Sequence, residues 1–293
     1  MFNLKLICSV GAMVGLLSPL HAQSGIALLY SDHSRTFFER YADCATKTPG
    51  ATLGNGDEYS RYVDGWRFVL GNLSAATTMI HDADLTEAGL APFRVLVLAN
   101  AVSLSDDQMK DVETWVRGGG RLLATFGSGY KDIVVSAPLE DLKPQRGGTG
   151  GLHNLWRDPL NKLFSSNSLE LGVPFVKLTQ PDAPPTDNLA GLRPGNLLPY
   201  GFLANMLIQR PAARDDVFGT FVFDAERRGP APAIMINRAS KGLVVYFAFA
   251  PEFAVALENN LPRSCSSGTG VYTESASAAT SLMTSTVLFL LGN

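Results

Sequence analysis

The 293 residues carry 24 lysines and arginines against 27 aspartates and glutamates, a formal charge of −3. A balance this close to neutral gives no bulk attraction for nucleic acid or an anionic membrane surface. With 46% of residues hydrophobic and only 17% charged, the chain can bury a sizeable core, which excludes general disorder.

The amino terminus predicts a compartment. Lys5 is followed by an uncharged apolar run, Leu6 to Leu17, and Leu20-His21-Ala22 ends in a small residue. That is the layout of a secretory signal peptide, and the run is short for a membrane span; an uncleaved anchor is the alternative. Cys8 sits inside the apolar run rather than at its end, against a lipoprotein site. Cleavage is predicted after Ala22, which leaves a periplasmic or secreted chain with no membrane span. The mature length predicts a single α/β domain over 23–293, with a long irregular insertion at about 131–215. Losing Lys5 leaves 23 basic against 27 acidic residues. Cys44 and Cys265 also remain, and an exported compartment permits a Cys44–Cys265 disulfide; two free buried thiols are the alternative. Neither cysteine has a Cys or His partner at ligand spacing, so no metal is expected.

The elements follow in order. Gly25 to Tyr30 reads as a short buried strand bounded by polar Ser31-Asp32-His33. Tyr59, Tyr62, Val63, Trp66, Val69, Leu70 and Leu73 recur at helical spacing over Glu58 to Leu73. Ala76 to Ile80 predicts a second strand, Asp84 to Leu90 a helical turn, and Phe93 to Leu98 a third strand. Ser105 with Gln108 forms a capping box for a helix lined by Met109, Val112 and Val116, which Gly118-Gly119-Gly120 stops. Arg121 to Phe126 is the next strand. Strands alternating with helices at this rhythm predict a doubly wound, mostly parallel sheet with helices on both faces.

The second half is less regular. Lys143 to Gly151 is glycine-rich, and Leu152 to Phe164 reads as a short helix interrupted by Pro159. Thr179 to Pro199 holds five prolines and reads as a surface excursion. Val217 to Asp224, Ala233 to Asn237 and Gly242 to Phe249 are strand-like, the last after a turn at Ala239 to Lys241. Ser275 to Leu291 predicts a terminal helix. These are the antiparallel strands expected in the second half.

The order and punctuation of the first half resemble a known family. Gly65-Trp66, Asp82-Ala83-Asp84-Leu85, Val95 to Leu98 with Asn100-Ala101, Leu104 to Gln108, and Gly119 to Thr125 carry the likeness, with Lys241-Gly242 and Tyr246 to Phe249 later. Together they resemble the β-galactosidase trimerisation domain, within the class I glutamine amidotransferase-like, flavodoxin-like fold. The resemblance is dense from Tyr59 to Gly129 and thin from Tyr130 to Ala231. It implies a link to carbohydrate metabolism, with a carbohydrate or a glycoside hydrolase as partner and homo-oligomer assembly as a further expectation. No cofactor is implied.

Active members of that superfamily set a cysteine on a sharp turn after a strand and follow it late with a Phe-His-Pro-Glu-like segment. Here the turn is Phe126-Gly127-Ser128-Gly129, and the late segment is Phe249-Ala250-Pro251-Glu252. A serine hydroxyl needs a neighbouring base to react at neutral pH, and alanine supplies none. The resemblance therefore implies a non-catalytic member, an accessory or binding protein. The alternative is a periplasmic hydrolase with Ser128 as nucleophile and Glu252 in a non-standard site. A sugar-binding module is a third class, and it requires an exposed aromatic platform.

Open parallel sheets bind ligands beyond the carboxyl ends of their strands. That edge predicts Asp32, His33 and Asn100 as ligand-binding candidates beside Ser128 and Glu252. The plainer reading has Asp32 and His33 serving a turn, Asn100 and Ser128 capping helices, and Glu252 starting one. His153 and Trp156 are further carbohydrate-binding candidates, with a core or rim tryptophan as the plainer reading. His81, beside Asp82, reads as a solvated loop histidine. The loop Gly147 to Gly151 lacks the lysine and serine of a phosphate-binding loop and reads as a linker.

Overall fold

The computed structural model describes residues 25–41, 57–129, 133, 162–164, 175–178, 197–199, 206–208, 217–222, 231–259 and 273–292. Its spine is five parallel strands in the order β2-β1-β3-β4-β11. These are β1 Ile26–Tyr30, β2 Thr77–His81, β3 Val95–Leu98, β4 Arg121–Thr125 and β11 Gly242–Phe247. This is the flavodoxin-like order, in which the chain winds outward in both directions from β1 and β3.

The strands form where the sequence offers short apolar runs. β1, β3, β4 and β11 are buried along almost their whole length, as parallel strands covered on both faces must be. One face carries α1 Asp32–Tyr41, α2 Asp57–Gly71, α5 Pro251–Glu258 and α6 Thr273–Leu291, which pack against one another. The short α3 Glu87–Leu90 packs with α4 Asp106–Gly118, reached by the crossovers that leave β2 and β3. α4 starts where expected. Ser105 Oγ accepts from the Gln108 N–H while Gln108 Oε1 accepts from the Ser105 N–H.

Two differences from the sequence reading stand in the first half. Asp32 and His33 do not serve a turn; they open α1. Ser31, read as the polar end of a strand, is the helix cap: its Oγ accepts from the Ser34 N–H, and its carbonyl accepts from the Arg35 N–H. His81 closes β2 instead of lying in a loop, with its side chain exposed.

Beyond β11 the sheet turns antiparallel through β10 Ala231–Ala239, β9 Val217–Val222, β6 Phe175–Leu178 and β7 Leu197–Pro199. β10 and β11 meet at Ser240–Lys241, where Ser240 adopts a positive φ of 57°. Lys162–Phe164, expected within a helix, is strand β5, paired with β8 Met206–Ile208. Leu197–Pro199, expected in a surface excursion, is the outermost strand. Proline is tolerated there because an edge strand needs no outward N–H. In both cases cross-strand pairing overrides a weak local pattern. The leader, Cys44, Cys265, His153, Trp156 and the 147–151 loop lie outside the described residues. No helix among the described residues is long and apolar enough to cross a membrane.

One contact fixes the helical face. A Cβ built at Gly65 on α2 would stand 2.1 Å from the backbone oxygen of Glu252 on α5, so the two helices touch backbone to backbone. Gly65→Ala should lower stability by about 1–3 kcal/mol, the usual cost of forcing atoms into a packed contact. Gly71→Ala, at a position with nothing within 4 Å, should be neutral or slightly stabilising. Urea midpoints of the two variants check this, and equal midpoints would mean the helices do not meet at Gly65.

Candidate functional site

The carboxyl ends of β1, β3, β4 and β11 gather a set of buried polar side chains: Ser31, Ser34, Asn100, Ser103, Thr125, Ser128 and Glu252. Between β1 and β3, where the winding reverses, a ligand crevice is expected. Here the two loops are clasped together. Ser103 N–H donates to Ser34 Oγ at 3.0 Å, Ser34 Oγ donates to the Ser103 carbonyl at 3.3 Å, and Ser31 Oγ lies 3.5 Å from the same carbonyl. Ser31 N–H donates to the Tyr59 hydroxyl on α2 at 3.1 Å. These hydroxyls serve the backbone.

The loops after β3 and β4 are strained and tightly tied. Asn100 and Phe126 both sit at φ 45°, uncommon for residues other than glycine. Asn100 N–H donates to Thr125 Oγ1 at 2.9 Å, and Asn100 Oδ1 accepts from the Gly127 N–H at 3.1 Å. Ser128 Oγ accepts from the Ala101 N–H at 3.1 Å. Its single proton faces the carbonyls of Leu98 and Thr125, at 3.0 and 2.8 Å. Asn100 and Ser128 therefore do not cap helices; they cross-link two loops whose backbone groups no strand ladder serves. Tyr246, from β11, donates its hydroxyl proton to the Phe126 carbonyl at 2.5 Å.

Glu252 starts α5, as the sequence suggests, and its carboxyl is fully buried. Oε1 accepts from Thr125 Oγ1 at 2.5 Å, while Oε2 has no partner among the described residues. Burial pushes this carboxyl up to about 8, although the Thr125 hydrogen bond, the residue's own backbone N–H and the neighbouring Trp66 indole favour the charged form. The indole stops short of hydrogen-bond geometry. At neutral pH Glu252 is thus an uncharged acid, suited to joining elements and not to attacking a substrate.

The expected residues fall into two groups. Asn100, Ser128 and Glu252 come together through Thr125, a residue the sequence reading gave no role. Asp32 and His33 belong to a separate rim at the ends of β1 and β2. There Asp82 Oδ2 accepts from the His33 N–H at 3.0 Å, and Gln108 Nε2 donates to the Asp82 carbonyl at 3.0 Å. Asp32 and His81 are both exposed, with Oδ2 and Nδ1 3.9 Å apart. Ser34 and Ser103 were missed because no local pattern announces a clasp between residues 69 apart. The one available signal for Thr125 was a hydroxyl closing an apolar strand. Among the described residues no group of three His, Cys, Asp or Glu could hold a metal ion.

No protein-family model matches the sequence, and no curated protein does. Solved structures do share the fold. The β-galactosidase of Rahnella sp. R3 is similar at 18% identity and a TM-score of 0.54, over 82% of this chain and 32% of that one. The β-galactosidase of Bacillus circulans sp. alkalophilus gives 17% identity and 0.53, over 82% and 30%. A β-galactosidase from the haloarchaeon Halorubrum lacusprofundi gives 15% and 0.51, over 81% and 30%. The chain thus spans about a third of the length of these enzymes. At such identities the likeness is one of fold, and the α/β fold that the sequence resemblance implied is the one observed.

The Glu252 carboxyl gives a pH signature. In the unfolded chain it ionises near 4.5, whereas in the folded protein it holds its proton up to about 8. Its contribution is therefore complete below pH 4.5 and is lost as the pH rises to about 8, to the extent of a few kcal/mol. Glu252→Gln, neutral at every pH, should flatten the fall in melting temperature between pH 5 and 8 relative to the wild type. Parallel curves would mean that Glu252 titrates as an ordinary carboxylate.

Proposed function

We propose that this chain is an exported, non-catalytic accessory or binding protein, linked to carbohydrate or polysaccharide metabolism and assembling with itself or with a glycoside hydrolase. The observation that carries the reading is the state of the turn after β4. In the superfamily that the sequence resembles, this turn presents a nucleophile; here Ser128 is fully buried and hydrogen-bonded to three backbone groups. Ala250 stands where the resemblance places a histidine, so no imidazole follows from that segment.

Export rests on the leader from Lys5 to Ala22. The carbohydrate link rests on the shared fold with β-galactosidases, enzymes about three times as long as this chain. A unit of that fold fits a role in assembly or recognition.

The mature protein, residues 23–293, should release no ammonia from glutamine and no product from chromogenic glycosides or esters, and Ser128→Ala should match the wild type in every assay. Light scattering should report an oligomer, or a complex once a glycoside hydrolase is added. Turnover that Ser128→Ala abolishes would replace this reading with the hydrolase alternative.

A further inference from the structure

The opposite, amino-terminal edge of the sheet gathers charge of one sign. Arg238, Leu243 and Arg121 lie side by side in register across β10, β11 and β4, with Val95 of β3 next in the same row. In-register neighbours project to the same face of a sheet, which places Arg238 on the side of Arg121. Arg121 Nη1 donates to the Leu290 carbonyl in the last turn of α6 at 2.5 Å, which fixes that side as the α6 face. Arg94, just before β3, joins them. The point where a Cβ would stand on Gly292 is 2.9 Å from Arg94 Nη2 and 3.3 Å from Arg121 Nη1. Two guanidinium groups therefore converge just beyond the end of α6, where Gly292 turns the backbone at φ +83°.

No carboxylate among the described residues pairs with Arg94, Arg121 or Arg238, and Arg94 Nε is buried without a hydrogen-bond partner. The end of α6 offers one counter-charge. Its last turn contains no basic residue, and Arg121 compensates the Leu290 carbonyl. A helix terminus is equivalent to roughly half a negative charge, far too little to balance three guanidinium groups. The surroundings act in the same sense on Arg121: burial, then Arg94, then Arg238 disfavour its charged form, and no acid opposes them.

We propose that Arg94, Arg121 and Arg238 form an anion-binding site for an oxyanion of the carboxylate or phosphate class. The planar guanidinium fork matches such groups with two parallel hydrogen bonds. Arg121 is anchored by Leu290, Arg94 supplies the converging fork, and exposed Arg238 closes the rim. The anion can be a free solute, or an acidic group that the chain itself brings from beyond the described residues.

Melting curves at matched ionic strength, repeated at low and high salt, separate these sources. The proteins compared are the mature wild type, Arg238→Gln and Arg94→Gln, in inorganic phosphate against matched sodium chloride. A free-solute site predicts a saturable rise of about 5 °C with millimolar phosphate in the wild type, lost in both variants. A site filled from the chain itself predicts no phosphate effect, with both variants melting lower than the wild type and the deficit shrinking in high salt. A cluster that binds nothing predicts the opposite sign. Removing one of three repelling charges then raises the melting temperature at low salt, phosphate has no saturable effect, and the proposal falls.

Discussion

The hydrogen bond between Thr125 Oγ1 and Glu252 Oε1 joins the end of a central strand to the start of a helix 127 residues later. Glu252 also supplies the backbone against which Gly65 of α2 packs, with the Trp66 indole beside its carboxyl. One buried acid thus connects the sheet to two helices of the same face. The arrangement is tolerable because the carboxyl is uncharged at neutral pH; an ionised group there would lose its hydration with one hydroxyl, its own backbone N–H and an indole as compensation. Thr125 passes the constraint on to the Asn100 N–H, and Asn100 to the Gly127 N–H. The positive φ values of Asn100 and Phe126 each cost on the order of 1–3 kcal/mol and persist only where the surroundings over-determine them. The ring of bonds around Thr125 does so.

The two edges of the parallel sheet differ in their electrostatic condition. At the carboxyl edge, short hydroxyl and amide side chains turn back onto the backbone, so loops leaving adjacent strands are held together by Ser34, Ser103, Asn100 and Ser128. At the amino edge the polar side chains are long, carry like charge, and pair with no acid among the described residues. In open α/β sheets, ligands ordinarily collect at the first edge. Here the hydroxyls of that edge serve the backbone and only Asn100 Nδ2, Glu252 Oε2 and the Trp66 indole stay unpartnered among the described residues, whereas the second edge gathers guanidinium groups, with Arg94 Nε buried and unpartnered.

How much of this could be read from the residues depends on how far apart the interacting groups lie. The parallel strands and α4 were legible because burial on two faces demands continuous apolar runs and a capping box is local. The α1 helix was not, because one serine signals a strand end and a helix cap equally well, and only the Ser34 N–H decides between them. The antiparallel half was partly legible. Long strands such as β10 and β11 declare themselves, whereas three-residue strands such as β5 and β7 exist only through their partners. Glu252 is legible as a helix start, but its burial against Trp66 and Thr125 arises from tertiary packing. Gly65 carries part of the resemblance, and only the contact with α5 supplies its physical reason.

Ser128 shows how satisfied hydrogen bonding bears on function. To act as a nucleophile, its hydroxyl would have to direct its proton to a base and its lone pair to a substrate. The proton now faces the Leu98 and Thr125 carbonyls, and a lone pair holds the Ala101 N–H, all within a fully buried turn. Freeing the hydroxyl would leave a buried backbone N–H unpaired, at a cost of about 1–3 kcal/mol before any chemistry began. It would also loosen the tie between the β3 and β4 loops, which the strained Phe126 depends on. The same bonds that make the turn rigid withdraw its one reactive group.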